Sequence, residues 1–207
     1  MSIKEGDAFR EKAYNYFGIK QCNCPPKRIL VLRRKGENRD YANVYTIHKA
    51  IEEMFPNTEV NWIHLNGEMT AKDQAMIAAS YGIIISVHGS QMTNIIFAQP
   101  NAAVIELAPI NWNDVWQRYL SAFYRLHHQI VVQGYPDPKR VPYEEFVNWT
   151  IAESKSPKLH GLHRKSEFAR RVIYANFVID PTALKNALVN SVKYLRSIVG
   201  CNDWDIL

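Results

Sequence analysis

Apolar positions along the chain follow two periods. Ile29-Leu-Val-Leu32, Ile83 to Val87 and Ala102 to Leu107 are short runs with almost no polar break. Runs of this kind fit strands covered on both faces, the pattern of a parallel sheet. Thr58 to Leu65 and Gln129 to Val132 read as two further strands. Between them the period lengthens to that of a helix. Asn43 to Phe55 places Val44, Ile47, Ile51, Met54 and Phe55 on one side, with Asn43 at the cap position and Pro56 beyond the end. Thr70 to Ser80 opens with Thr70 and Asp73 at capping-box spacing. Asp114 to Leu126 carries a stripe of Val115, Tyr119, Ala122 and Leu126. Asp180-Pro181 starts a last helix, with Leu184, Leu188, Ser191, Leu195 and Ile198 in phase. Ile3 to Phe17 is a weaker amphipathic helix, ended by Gly18.

Strands that alternate with helices predict an α/β fold, a Rossmann-like doubly wound and mostly parallel sheet. Residues 1–27 are expected to form an N-terminal helix and connector. Residues 28–207 form the Rossmann-like domain, its final helix at about 181–199 packing back. Gly134 to Lys158 holds Pro136, Pro138, Pro142 and Pro157 and is the least regular part, with a helix expected around Tyr143 to Ala152. Phe177 to Ile179 is a last short strand.

The chemistry gathers around Gly82 to Phe97. There an apolar strand stops at His88-Gly89, and Ser90, Gln91, Thr93 and Asn94 open a short helix. The first N–H groups of a helix have no internal partner, so a strand, a glycine turn and a polar helix start make an anion pocket. Ligands of a doubly wound sheet sit outside the carboxyl ends of its strands. Those ends carry Arg33, Arg34 and Arg39, then His64 and Glu68, then His88 to Asn94, then Glu106 to Asn113. Arginine forks and helix N–H groups suit a diphosphate. Each residue also has a plainer reading. The arginines can be solvated, His88 can brace a tight turn, Gly89 can serve positive φ, and Glu106 faces a ligand or merely ends its strand.

Composition narrows the classes. The chain has 207 residues, a net charge of +5 and a pI near 9.0. Its basic residues are scattered, without a nucleic-acid-binding motif or stacking aromatics, so no nucleic-acid partner is expected. No apolar run approaches the roughly 20 residues of a membrane span. Met1 to Arg10 lacks a signal-peptide core, so the chain as given is expected to be soluble and without membrane contact. Cys22, Cys24 and Cys201 make an odd count with no disulfide framework, and Cys-x-Cys lacks zinc-site spacing. Asn148-Trp-Thr150 is a glycosylation sequon that matters only in a secretory protein. Neither a Gly-x-Gly-x-x-Gly turn, a phosphate-binding Gly-Lys-Ser/Thr loop nor a Gly-x-Ser-x-Gly elbow is present. No Asp-x-Asp suggests a metal-bridged diphosphate, and His160-x-x-His163 lies in a basic stretch without carboxylates. No metal and no cofactor are expected.

Ser86-Val-His-Gly-Ser-Gln-Met-Thr-Asn-Ile-Ile-Phe97, followed by Pro100 and Ala103-Val-Ile-Glu-Leu-Ala-Pro109, resembles the signature of glycosyltransferase family 61. That family includes protein O-linked N-acetylglucosaminyltransferases and plant xylosyl- and arabinosyltransferases. Arg33, Arg39 with Asn43, and Asp73-Gln74 fall in the same order, and the resemblance covers roughly Ile29 to Trp116. It implies an inverting transferase of two-domain, GT-B-like architecture whose C-terminal half holds a UDP-sugar, with a glycan or protein hydroxyl as acceptor. By position, Arg33 and Arg39 would contact the donor diphosphate, and His88, Gly89, Ser90 and Gln91 would line the pocket. Arg34, Asn43 and Asn94 complete the expected donor-binding set, and Glu106 would stand near the nucleotide or sugar. His88 and Glu68 are the candidates for general base. The acidic residue that often follows the helix-opening Asn is Val44 here. Only about 28 residues precede the first strand, so the N-terminal half implied by the resemblance, or a partner chain, would lie outside this sequence. The resemblance places eukaryotic relatives in the secretory lumen; a chain that is no fragment of such an enzyme would be cytoplasmic. A non-catalytic nucleotide-sugar-binding or interaction module is the alternative reading.

Overall fold

In a computed structural model, the structure describes residues 2–34, 40–65, 68–108, 116–132, 135–136, 141–142, 144–148 and 175–204. The strands are β1 (Arg28–Arg33), β2 (Glu59–His64), β3 (Ile83–Val87), β4 (Ala103–Ala108) and β5 (His127–Val132), with the short β6 (Tyr135–Pro136) and β7 (Phe177–Val178). The helices are α1 (Ile3–Phe17), α2 (Val44–Met54), α3 (Ala71–Ala79), α4 (Trp116–Phe123) and α5 (Pro181–Ser197). A 3-10 helix spans Ser90–Phe97.

β1 to β5 form one sheet in the order β2-β1-β3-β4-β5, with every pair parallel. This is the Rossmann-like α/β architecture expected from the apolar runs. β3 and β4 are buried along their whole length, as strands covered by helices on both faces must be. Odd-numbered residues Ile29, Val31, Ile83, Ile85, Ile105 and Leu107 face α2 and α5, which bring Ile47, Ile51, Leu184, Leu188 and Leu195. Even-numbered Leu30, Leu32, Ile84 and Val104 face the opposite layer, where Met92, Ile95, Leu120 and Tyr124 pack. Each such side chain, fully buried, contributes about 1.5–3 kcal/mol.

α1 belongs to that second layer. Gly6 lies so close to α4 that a Cβ there would meet the Phe123 carbonyl oxygen at 2.3 Å. The buried Arg10 guanidinium donates to the Tyr124 carbonyl, and the Tyr14 hydroxyl donates to the Phe97 carbonyl at 2.9 Å. The expected capping box of Thr70 with Asp73 starts α3, and a second box, Ser2 with Glu5, starts α1.

β6 and β7 pair antiparallel, and Phe177 bridges to Tyr41 just after β1. The C-terminal part thus returns over the loop that follows the first strand. Asn43 occupies the N-cap position of α2 but makes no cap bond. Its amide instead donates to the Ile179 carbonyl at 2.8 Å and accepts from the Ile179 N–H at 3.0 Å.

One sequence expectation is overturned. Cys24 and Cys201 form a disulfide across 177 residues, with Cα atoms 5.6 Å apart. The odd cysteine count hid it, because the pairing depends on α5 returning beside the connector before β1. Cys22 is the leftover thiol. The junction is tight: a Cβ on Gly82 would meet the Pro26 carbonyl oxygen at 2.5 Å and the buried Trp204 ring at 2.6 Å.

Candidate functional site

The chain leaves β1 toward β2 on one side and reaches β3 on the other, so β1 and β3 flank the point where the winding reverses. In open α/β sheets the ligand crevice lies outside the carboxyl ends of the strands at such a point. Here those ends are Arg33 with Arg34, and Val87 with His88 and Gly89. The sequence reading placed these residues on one edge, and the strand order puts them on adjacent strands.

The most developed polar arrangement runs across the sheet. Ser86 pairs in register with Glu106, and Val104 with His128. His88 is therefore two residues ahead of the Glu106 level, and His128 two residues behind it. All three share the even-numbered face, so their side chains form a diagonal from β5 through β4 to the end of β3. Diagonal neighbours at this spacing are within reach of long side chains. Glu106 takes both contacts. One carboxylate oxygen meets His88 Nδ1, and the other lies 2.9 Å from His128 Nε2. The side chains of His88, Glu106 and His128 are 4%, 2% and 7% exposed.

Burial pushes the Glu106 carboxyl up, but hydrogen bonds from His128 and His88 outweigh it and hold the group below the usual carboxylate range. An ionised Glu106 is acceptor-only. His88 Nδ1 and His128 Nε2 must then carry the protons of these bonds. Fixing the hydrogen on Nδ1 makes Nε2 the lone-pair nitrogen of a neutral His88 ring. Glu106 is thus neither a strand end nor an isolated ligand-facing acid. It orients two histidines.

Gly89 turns the chain beyond β3 with a positive φ of 157° and ψ −177°, a conformation essentially reserved for glycine, as the positive-φ reading expected. The segment after it is a 3-10 helix whose ladder begins with Met92 N–H donating to the Gly89 carbonyl at 3.0 Å. Ser90 is exposed at its start. Gln91 donates to the Ser86 hydroxyl at 3.2 Å, which ties the helix back to β3. The Asn94 amide donates to the Gln91 carbonyl at 3.1 Å, a bond within the helix itself.

The arginine edge is more committed to the fold than its sequence position suggests. Arg33 Nε donates to both Asp40 oxygens, at 2.8 and 3.2 Å, and its guanidinium lies near the Tyr41 and Trp62 rings. Burial pushes the Asp40 carboxyl up, yet the Arg33 hydrogen bonds outweigh it and hold the group low. Arg34 follows, its backbone N–H 3.4 Å from Asp40. Asn43 bonds the Ile179 backbone through both its amide nitrogen and its amide oxygen. Glu68 is exposed beyond β2, two strands across from His88. Strands lie about 4.8 Å apart, so some 10 Å separates the ends of β2 and β3. Arg39, Asn113, most of the proline-rich stretch and the His160 and His163 pair lie outside the described residues.

His128 was not among the sequence-derived candidates, because the fifth strand was expected to begin at Gln129. It begins at His127. The signal was a histidine pair opening a strand next to one that carries a lone acid. A separate cleft of about 520 Å³ lies at the opposite, amino edge of the sheet, lined by Asp7, Arg10, Glu11, Gln21, Pro100, Asn101 and Arg125. Its position before β4 and β5 separates it from the winding reversal. Among the described residues no group of three or more His, Cys, Asp or Glu side chains is arranged to hold a metal.

Residues 4–105 match a family model described as Glycosyltransferase 61. The match runs from α1 into β4 and ends one residue before Glu106. No curated protein matches the chain.

Proposed function

Since the match over residues 4–105 makes this chain a member of glycosyltransferase family 61, we propose that it binds a UDP-sugar at the β1–β3 edge and takes part in inverting sugar transfer to a hydroxyl. The observation that carries this reading is the Glu106-held His88 at the end of β3, beside the helix start and the arginine edge. The N–H groups that open the 3-10 helix, with Arg34 and Arg39, suit the diphosphate. Arg33 contributes as a positive group already braced by Asp40.

Transfer requires a proton acceptor and stabilisation of the leaving charge. The acceptor hydroxyl oxygen forms a bond to the anomeric carbon from the face opposite the diphosphate. The carbon–oxygen bond to UDP breaks, and UDP departs with the electron pair. The hydroxyl proton passes to Nε2 of His88, whose Nδ1–H stays on Glu106. A GT-B-like second lobe, from outside the described residues or from a partner chain, would supply the acceptor cleft.

Calorimetry with UDP tests the donor site. Arg34→Ala and Arg39→Ala should each weaken binding at least about tenfold, or roughly 1.4 kcal/mol. Unchanged affinity in both would remove the donor site from this edge. His88 is only 4% exposed, an observation that favours the alternative of a binding module without transfer. UDP binding with neither transfer nor hydrolysis across a panel of UDP-sugars would decide for that module.

The Cys24–Cys201 bridge supports folding in an oxidising compartment, which makes the secretory lumen the proposed place of work. No described helix is long and apolar enough to cross a membrane.

A further inference from the structure

We propose that His128 is a positioning residue that acts through Glu106 to keep His88 in its Nδ1–H form. The inference rests on the proposed role of His88 as proton acceptor and adds a residue 22 positions beyond Glu106 to that site.

A carboxylate in a buried site needs donors to stay ionised. Glu106 is 1% exposed and has two, one on each oxygen: His88 Nδ1 and, at 2.9 Å, His128 Nε2. With His128 removed, one oxygen of a buried carboxylate loses its donor, and desolvation acts against a single remaining bond. The inexpensive response is to bind a proton. A protonated Glu106 is a donor, and facing His88 Nδ1 it would turn that nitrogen into an acceptor. The ring proton would then move to Nε2, the nitrogen that has to accept from the substrate hydroxyl. His128 therefore guards the tautomer of a ring it does not touch.

The sheet geometry explains why a histidine on β5 can do this. The diagonal His128–Glu106–His88 climbs from within the sheet to its carboxyl edge, with one strand between the two rings. His128 is 7% exposed on its side chain and lies behind Glu106, too far back along the sheet to meet a ligand at the edge. Its neighbour His127 points to the other face, where it stacks on Tyr194 with ring centroids 4.2 Å apart.

The test is nitrogen-15 NMR of the His88 ring in the full chain, with signals assigned by a His88→Gln variant. In the native protein at neutral pH, Nδ1 should be pyrrole-like and Nε2 pyridine-like. In His128→Leu the Nε2 signal should move toward the pyrrole-like region. His128→Gln places an amide donor where Nε2 stood and should restore the native pattern. Backbone amide spectra establish that each variant is folded. A native-like His88 pattern in folded His128→Leu overturns the proposal, as does failure of His128→Gln, when folded, to restore it. Loss of the donor-site reading would appear separately, as absent UDP binding by the native protein whatever its tautomer.

Discussion

At the scale of single residues, the site depends on two carboxylates held ionised by different means. Asp40 is held low by the Arg33 fork, and Glu106 by two histidines. Both have folded pKa values below the ordinary range, with burial opposing the shift in each. A carboxyl with a depressed folded pKa binds fewer protons folded than unfolded around pH 4, so its stabilisation is full above the unfolded pKa. It is lost as pH falls from the unfolded value through the lowered folded one. Urea unfolding from pH 7 to pH 2 should therefore show stability falling on the acid side. Asp40→Asn should flatten that fall; an unchanged slope would mean the Arg33 pair contributes no proton linkage. Arg33→Ala leaves Asp40, whose side chain is 8% exposed, without its fork. It should cost about 1.5–3 kcal/mol, as loss of hydrogen bonds to a charged group does. A denaturation midpoint equal to that of the native chain would count against the assignment. That structural cost makes Arg33 a poor probe of UDP affinity.

At the scale of elements, close approach decides how α1 joins the fold. The capping box starts this helix, but its apolar stripe alone does not say what it packs on. Gly6 against the Phe123 carbonyl answers that. Gly6→Ala should destabilise the chain by about 1–3 kcal/mol, as overpacking against backbone does. Differential scanning calorimetry would read this as a lowered Tm, whereas an unchanged Tm would show that α1 packs elsewhere. The family match begins within this helix.

At the scale of the whole molecule, the Cys24–Cys201 bridge ties the connector before β1 to the segment after α5. It closes most of the chain into one loop. Cys24→Ala with Cys201→Ala should lower the unfolding free energy by about 2–4 kcal/mol, mainly by freeing the unfolded chain. Reductant should then weaken the native protein but not the double variant. Equal sensitivity of both to reductant would exclude the bridge. The return of β7 and α5 has a second consequence. Asn43, read from sequence as a cap and a donor contact, binds the Ile179 backbone 136 residues away.

What the sequence determined by itself was the local and periodic part. Apolar runs without a polar face marked β1, β3 and β4 as covered strands, and helical spacing marked α2 and α5. The Val87-His88-Gly89 stop, with the resemblance to family 61, marked the edge proposed as the donor site. Those signals are written in neighbouring residues, so they survive without coordinates. The tertiary structure decided which distant groups meet. Strand order and register put His128 behind Glu106 and Glu106 behind His88. Chain return brought Cys201 to Cys24, and the loop after β1 set Asp40 against Arg33. Each pairing depends on elements docking across many residues, and no local period encodes it. The turn at His88 was legible from sequence. The diagonal that sets its proton was not.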